Sequence, residues 1–232
     1  APPLWFQLYL QPQRDATLSL IRRAEAAGYK VLVITVDAAI KRSEFTLPPG
    51  VEAANLRGTA LLRHEASALG GRLLFGTPLI EAAPTWEDIR WLRKQTTLPL
   101  VIKGLLSPQD AQRASHEGAD GIVVSNHGGR VLDHAIPPLD ALAHIVDAVG
   151  AKIPILFDSG IRRGTDILQA LSLGASAVLI GRPQLHALAV AGMAGVAHIL
   201  QILRIELELA MAQTGCRSIS GIDQHLLTKV RS

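Results

Sequence analysis

The sequence has 232 residues, 48% of them hydrophobic and only 4% aromatic, with a formal net charge of +3 and a single cysteine. That length fits one α/β domain of barrel size with a substantial core. Its basic residues are scattered and do not alternate with aromatics, which sets nucleic acid aside as a partner. One cysteine, Cys216, excludes an internal disulfide and suits a reducing compartment. No apolar stretch is read as reaching the roughly 18 residues of a membrane span, and the opening APPLWFQLYLQPQR lacks the charged and apolar regions of a signal peptide.

Strand and helix signals alternate along the chain. WFQLYL (5–10) reads as a short strand, and Asp15 as the cap of a helix ended by Gly28. Strand 31–36 follows. Residues 38–84 break the rhythm with PPG at 48–50, Gly70-Gly71 and Thr77-Pro78, an irregular excursion of the kind usually found to be functional. T-W-E-D at 85–88 reads as a capping box with Asp88 in place of Glu, opening a helix to about Gln95. Strand 99–102 comes next, and Ser107-Pro108 then gives an N-cap and an N1 proline for a helix that closes at Gly118. Strand 121–125, helix 138–149, strand 154–158, helix 164–173, strand 177–180 and a long apolar helical stretch over 185–214 complete the series. Gly28-Tyr29, Gly118-Ala119 and Gly174-Ala175 each precede a strand, the echo of a repeated βα unit.

The strand candidates are continuous β-branched runs, as in a parallel sheet covered by helices on both faces. Short connections, and the lack of a G-x-G-x-x-G after the first strand, favour a (β/α)8 TIM barrel over a doubly wound dinucleotide-binding sheet. Six of the eight strands are found, so the expectation is a single α/β barrel domain over 1–232 that is incomplete at its N-terminus.

In such folds ligands sit at the carboxyl ends of the strands. The runs end at Asp37, Lys103, Ser125-Asn126-His127, Asp158 and Gly181-Arg182, which predicts one pocket for all of them. Asp158-Ser159-Gly160 with Arg162-Arg163-Gly164, and Gly181-Arg182, repeat a glycine-plus-arginine pattern suited to a phosphate, with a helix N-terminus assisting. Lys103 is costly to bury unless it faces an anion. His127, directly beyond a buried strand and followed by Gly128-Gly129-Arg130, pairs a proton acceptor with a carboxylate clamp. Asp37 could orient it and stabilise its imidazolium form. The other seven histidines read as structural, and no metal site is expected.

W-F-Q-L-Y (5–9), T-V-D (35–37), L-V-I-K-G (100–104), S-N-H-G-G-R (125–130), D-S-G-I-R-R-G-T-D (158–166), G-R-P (181–183) and T-G-C-R (214–217) together resemble the FMN-dependent L-2-hydroxy acid oxidase/dehydrogenase family, which includes glycolate oxidase, mandelate dehydrogenase and lactate oxidase. The resemblance covers nearly the whole chain. It implies FMN as cofactor, with oxidation of a small L-2-hydroxy acid of lactate, glycolate or mandelate type to the 2-oxo acid. It makes His127 the base, supported by Asp37, with Arg130 on the substrate carboxylate and Tyr9 on a substrate oxygen. Lys103 is implied beside the N1/O2 edge of the flavin. Gln7, Thr35 and Ser125 are implied to hydrogen-bond the ring and Asp158 the ribityl chain. Gly160, Arg162, Gly181 and Arg182 fall around the phosphate, with Arg163 nearby.

The sequence departs from the family pattern in three places. The segment that supplies the family's first two strands is absent. The run D-A-A-I-K-R-S-E-F is shorter than the family's, which leaves Arg42 a weak counterpart of its active-site arginine. Val131 replaces a usual glutamine. The alternative reading is therefore a partial FMN- or phosphate-binding barrel without catalysis. The sequence does not choose among oxygen, a quinone and a cytochrome as electron acceptor. A cytoplasmic homo-oligomer is expected, with membrane association as a variant of that expectation.

Overall fold

In a computed structural model, residues 3–38, 48–51 and 83–228 are described. Arg42 and most of the 38–84 excursion lie outside the described residues. The chain forms two compact units, residues 1–101 and 102–232.

The first unit runs β1 (Trp5–Leu8), α1 (Arg14–Ala26), β2 (Val31–Thr35) and α2 (Trp86–Arg93), ending in the first residues of β3 (Leu100–Leu105). β1 and β2 pair in parallel, with Trp5 opposite Val31, and the Leu32 N–H donates to the Pro99 carbonyl at 2.9 Å. Leu32 and Ile34 are fully buried, as are Ile21 of α1 and Leu92 of α2, so the two helices cover the strands with the faces their apolar spacing dictates. α1 begins two residues earlier than its acidic signal suggests. Extended Gln13 holds the cap position, and Asp15 lies inside the first turn, where its charge complements the helix dipole. At α2 the expected box forms through Asp88, whose Oδ2 accepts from the Thr85 N–H at 3.0 Å.

The second unit completes β3 and continues through α3 (Pro108–His116), β4 (Gly121–Val124), α4 (Pro138–Val149), β5 (Ile155–Phe157), α5 (Gly164–Ser172), β6 (Ala177–Val178) and α6 (Arg182–Gln213). β4, β5 and β6 are parallel neighbours, with Ile122 opposite Ile155 and Leu156 opposite Ala177. Every residue of β4 and β5 is buried, and Leu142 and Ile145 of α4 pack with them in the core.

The repeated βα unit is physical. At the ends of α1, α3 and α5, Gly28, Gly118 and Gly174 take φ of 81°, 88° and 100°. In each case the following N–H reaches back five residues, Tyr29 to Ala24, Ala119 to Ala114 and Ala175 to Ala170, at 3.0–3.1 Å. This is one helix stop used three times, and it turns the chain directly into the next strand.

α6 corrects the expectation about membrane-length segments. Among the described residues it is the one helix long and apolar enough, by length and composition, to cross a membrane, with a window of mean hydropathy 1.7 that is only 6% buried within the chain. It is also broken at Ala191–Gly192, where Gly192 takes φ 56°. Beyond the break Leu203 and Ala210 are buried, and the helix lies so close to α5 that a Cβ on Gly164 would sit 2.1 Å from the Leu207 nitrogen.

Candidate active site

The sequence-predicted residues of the first unit stand at or just beyond the ends of its strands. Gln7 Nε2 donates to Thr35 Oγ1 at 2.8 Å, which joins β1 to β2, and Thr35 is buried. Tyr9 and Asp37 follow β1 and β2 respectively and are half-buried.

In the second unit the ends of β3, β4 and β5 meet in one polar network. The Lys103 ammonium lies 2.8 Å from Asp158 Oδ2 and donates to Ser125 Oγ at 2.7 Å, with the lysine and aspartate side chains only 14% and 17% exposed. A lysine at the end of a buried strand is thus matched by a carboxylate two strands away, which offsets the cost of removing both charges from water. Ser125 is fully buried, and its Oγ also accepts the His127 N–H at 3.0 Å. Asp158 applies its other oxygen to Ser159, whose hydroxyl donates to Oδ1 at 2.9 Å. The same Ser159 oxygen accepts from the Gly128 N–H at 3.0 Å and the Asn126 N–H at 3.4 Å.

Backbone strain gathers at this network. His127 (φ 57°) and Ser159 (φ 79°) are left-handed non-glycine residues, beside left-handed Gly128, Gly129 and Gly160. Side chains rarely adopt this region, and where they do the surroundings must hold them there. Asn126 closes the His127 turn by accepting the Gly129 N–H at its own side chain and its carbonyl, both at 3.0 Å. Gly129 and Arg130 are exposed.

The phosphate-type loops show a division of labour that the sequence concealed. Asp166 Oδ2 accepts the N–H groups of Arg162 and Arg163 at 2.8 and 2.9 Å, and Glu206 of α6 accepts that of Gly164 at 2.8 Å. The N-terminus of α5, expected to help hold an anion, is therefore capped by carboxylates of the chain itself. What remains for an anion is the arginine side chains and the glycine backbone. Gly160 and Gly181 have open space where a Cβ would stand. Arg162 and Arg182 border a cavity of about 710 Å³ that is otherwise lined by α6, from Pro183 through His186 and Val190 to Ile202. Arg182 also donates to the Gly128 carbonyl at 2.7 Å, tying the loop after β6 to the histidine loop.

Asn126 and Ser159 stand in the sequence only as members of strand-end runs, and neither they nor Asp166 and Glu206 were assigned a role of their own from it. Asp166 carried a signal, because an acidic residue three positions after a helix cap is the capping pattern. Glu206, forty-two residues from Gly164, carried none.

The chain as a whole resembles known proteins. Residues 1–229 match the model of the FMN-dependent dehydrogenase family. The chain belongs to that family. It is 50% identical to an L-lactate oxidase of Nostoc sp. over 96% of its own length and 63% of the relative's. It is 41% identical to glycolate oxidase 1 of Oryza sativa subsp. indica, with 97% of this chain and 63% of that protein covered. A crystal structure of mandelate oxidase with (S)-2-phenylpropionate superposes with a TM-score of 0.80 at 42% identity, over 95% of this chain and 61% of that one. The fold is thus of the α/β barrel class, to which the described residues contribute six parallel strands, each followed by a helix. It spans about 63% of the length of the curated relatives it matches.

Proposed function

We propose that the chain is the cofactor- and base-bearing part of an FMN-dependent enzyme that oxidises a small L-2-hydroxy acid to the 2-oxo acid. The observation that carries this reading is the network in which Lys103, Ser125, Asp158 and Ser159 fix the strained turn of His127 at the carboxyl ends of β3, β4 and β5. The names of the relatives, which are oxidases of lactate and glycolate, support the substrate class.

The residues present fit a flavin mononucleotide. Gly160 and Gly181 leave open space where a Cβ would stand, Arg162 and Arg182 line one cavity, and Gly160 and Arg182 line another; two arginines are the charge a phosphate dianion takes. Lys103 would supply positive charge to the ring, while Ser125 offers a hydrogen bond and Asp158 an acceptor for hydroxyls. When bound, FMN supplies an acceptor for two electrons.

His127 takes the proton of the substrate's 2-hydroxyl group on an imidazole nitrogen. Oxidation to the 2-oxo acid would also release two electrons from the substrate, and accepting them is the chemistry that bound FMN would supply. A base in hydrogen-bonding reach is worth roughly 10²–10⁴-fold in such a step. Arg130 would hold the substrate carboxylate as a bidentate clamp.

The test is to reconstitute the full chain with FMN and add glycolate, L-lactate or mandelate without oxygen. Bleaching of the yellow flavin band by at least one of them is the expected result. A yellow protein that none of the three bleaches would overturn the oxidase reading and leave the FMN-binding barrel without catalysis.

A further inference from the structure

We propose that Ser159 is a positioning residue, whose hydroxyl fixes His127 relative to the Lys103–Asp158 pair. The inference deepens the reading of His127 as the base and rests on it.

The hydroxyl uses its whole hydrogen-bonding capacity in one place. It donates to Asp158 Oδ1 at 2.9 Å and accepts from the N–H groups of Gly128 and Asn126 at 3.0 and 3.4 Å. These two N–H groups flank that of His127, which ends on Ser125 Oγ at 3.0 Å. Three consecutive N–H groups thus terminate on two serine hydroxyls. Ser125 touches the Lys103 end of the ion pair and Ser159 touches the Asp158 end. Any slip of the histidine turn would break a bond to one of them.

The backbone separates this role from a simple packing role. At φ 79° Ser159 occupies a conformation that suits glycine, and its neighbour Gly160 takes φ 85°. A residue kept there only to close the turn would be better as glycine. A serine accepts the strain and retains the hydroxyl, so the hydroxyl and the stability of the turn are separable by substitution. Ser159→Gly removes the hydroxyl while relieving the backbone, whereas Ser159→Ala removes it and keeps the strain.

Both variants of the FMN-loaded full chain are compared with the wild type for melting temperature, FMN affinity, amide hydrogen exchange at Gly128 and anaerobic flavin reduction by L-lactate. For Ser159→Gly the melting temperature is expected to be no lower than that of the wild type, with FMN affinity within about twofold. Gly128 exchange is expected to quicken and flavin reduction to slow by about tenfold each, the equivalent of one lost hydrogen bond. Ser159→Ala is expected to show the same two changes with a lower melting temperature. Unchanged exchange and reduction in Ser159→Gly overturn the proposal, as does a loss that merely follows the melting temperature. If the wild-type chain itself reduces no flavin, the oxidase reading fails on its own. Gly128 exchange in Ser159→Gly then still decides whether the hydroxyl holds the turn.

Discussion

Along β4, Gly121 to Val124 are buried, extended and apolar, and Ile122, Val123 and Val124 pair one for one with Ile155, Leu156 and Phe157 of β5. Three residues beyond the end of β4, His127 sits in left-handed backbone, and two beyond β5 Ser159 does the same, each held by hydrogen bonds to side chains rather than to a sheet. The strand middles follow propensity and the strand ends violate it. Local rules broken under such reinforcement mark places where the chain is serving something other than stability. On this account, substitutions in the strand middles and the helices over them lower stability and spare chemistry, while those at the ends do the reverse.

The largest expected effect is kinetic. His127→Ala is expected to slow substrate-driven flavin reduction by roughly 10²–10⁴-fold with FMN still bound, measured by anaerobic stopped-flow. A residual rate close to that of the wild type would remove the base from the strand end and with it the contrast. Lys103→Met is expected to act on both sides of the comparison. It leaves Asp158 mostly buried without its cation, costing about 3 kcal/mol in urea unfolding, and it weakens FMN binding as well. Ile145→Ala, in the fully buried face of α4, is expected to cost about 2–5 kcal/mol while leaving the FMN affinity of the folded protein unchanged. The smallest effect belongs to a surface pair in the first unit. Burial alone would raise the carboxyl of Asp88, but hydrogen bonds from the Thr85 N–H and from Arg14 outweigh it and hold the group below its usual value. Its contribution is therefore complete above the ordinary carboxylate range and is lost as pH falls through the lowered value. Asp88→Asn is expected to cost less than about 1 kcal/mol at neutral pH. That difference from the wild type should fade in unfolding curves taken below about pH 4.

The parts of the molecule that obey one-dimensional rules were legible in the sequence. All six strand candidates are strands, and Ser107-Pro108 and Thr85/Asp88 open helices where expected. The three glycine stops recur with one geometry. The placement of Lys103, Ser125, His127 and Asp158 at strand ends followed from the same runs. What the sequence hid depends on contacts across the fold. The closing of the α5 N-terminus by Glu206 joins residues forty-two apart. The engagement of Arg182 with the Gly128 carbonyl makes an expected phosphate ligand also a brace for the histidine loop. The left-handed backbone of Ser159 had no signal, because D-S-G reads as an ordinary turn. The extent of α6 was legible, 185–214 against Arg182–Gln213, but His186 and His198 do not keep its apolar stretch short of membrane-span length as expected.

The central claim is that FMN binds at the carboxyl ends of the second unit's strands, with its phosphate between the loops after β5 and β6 and its ring beside the Lys103–Ser125–His127 network. Titrating FMN into the isotope-labelled full chain and following every backbone amide by NMR tests it directly. The largest shifts are predicted at Gly160, Gly181, Arg182 and His127, with α3 unaffected. Shifts concentrated on α3 or α4, with those four amides silent, would contradict it.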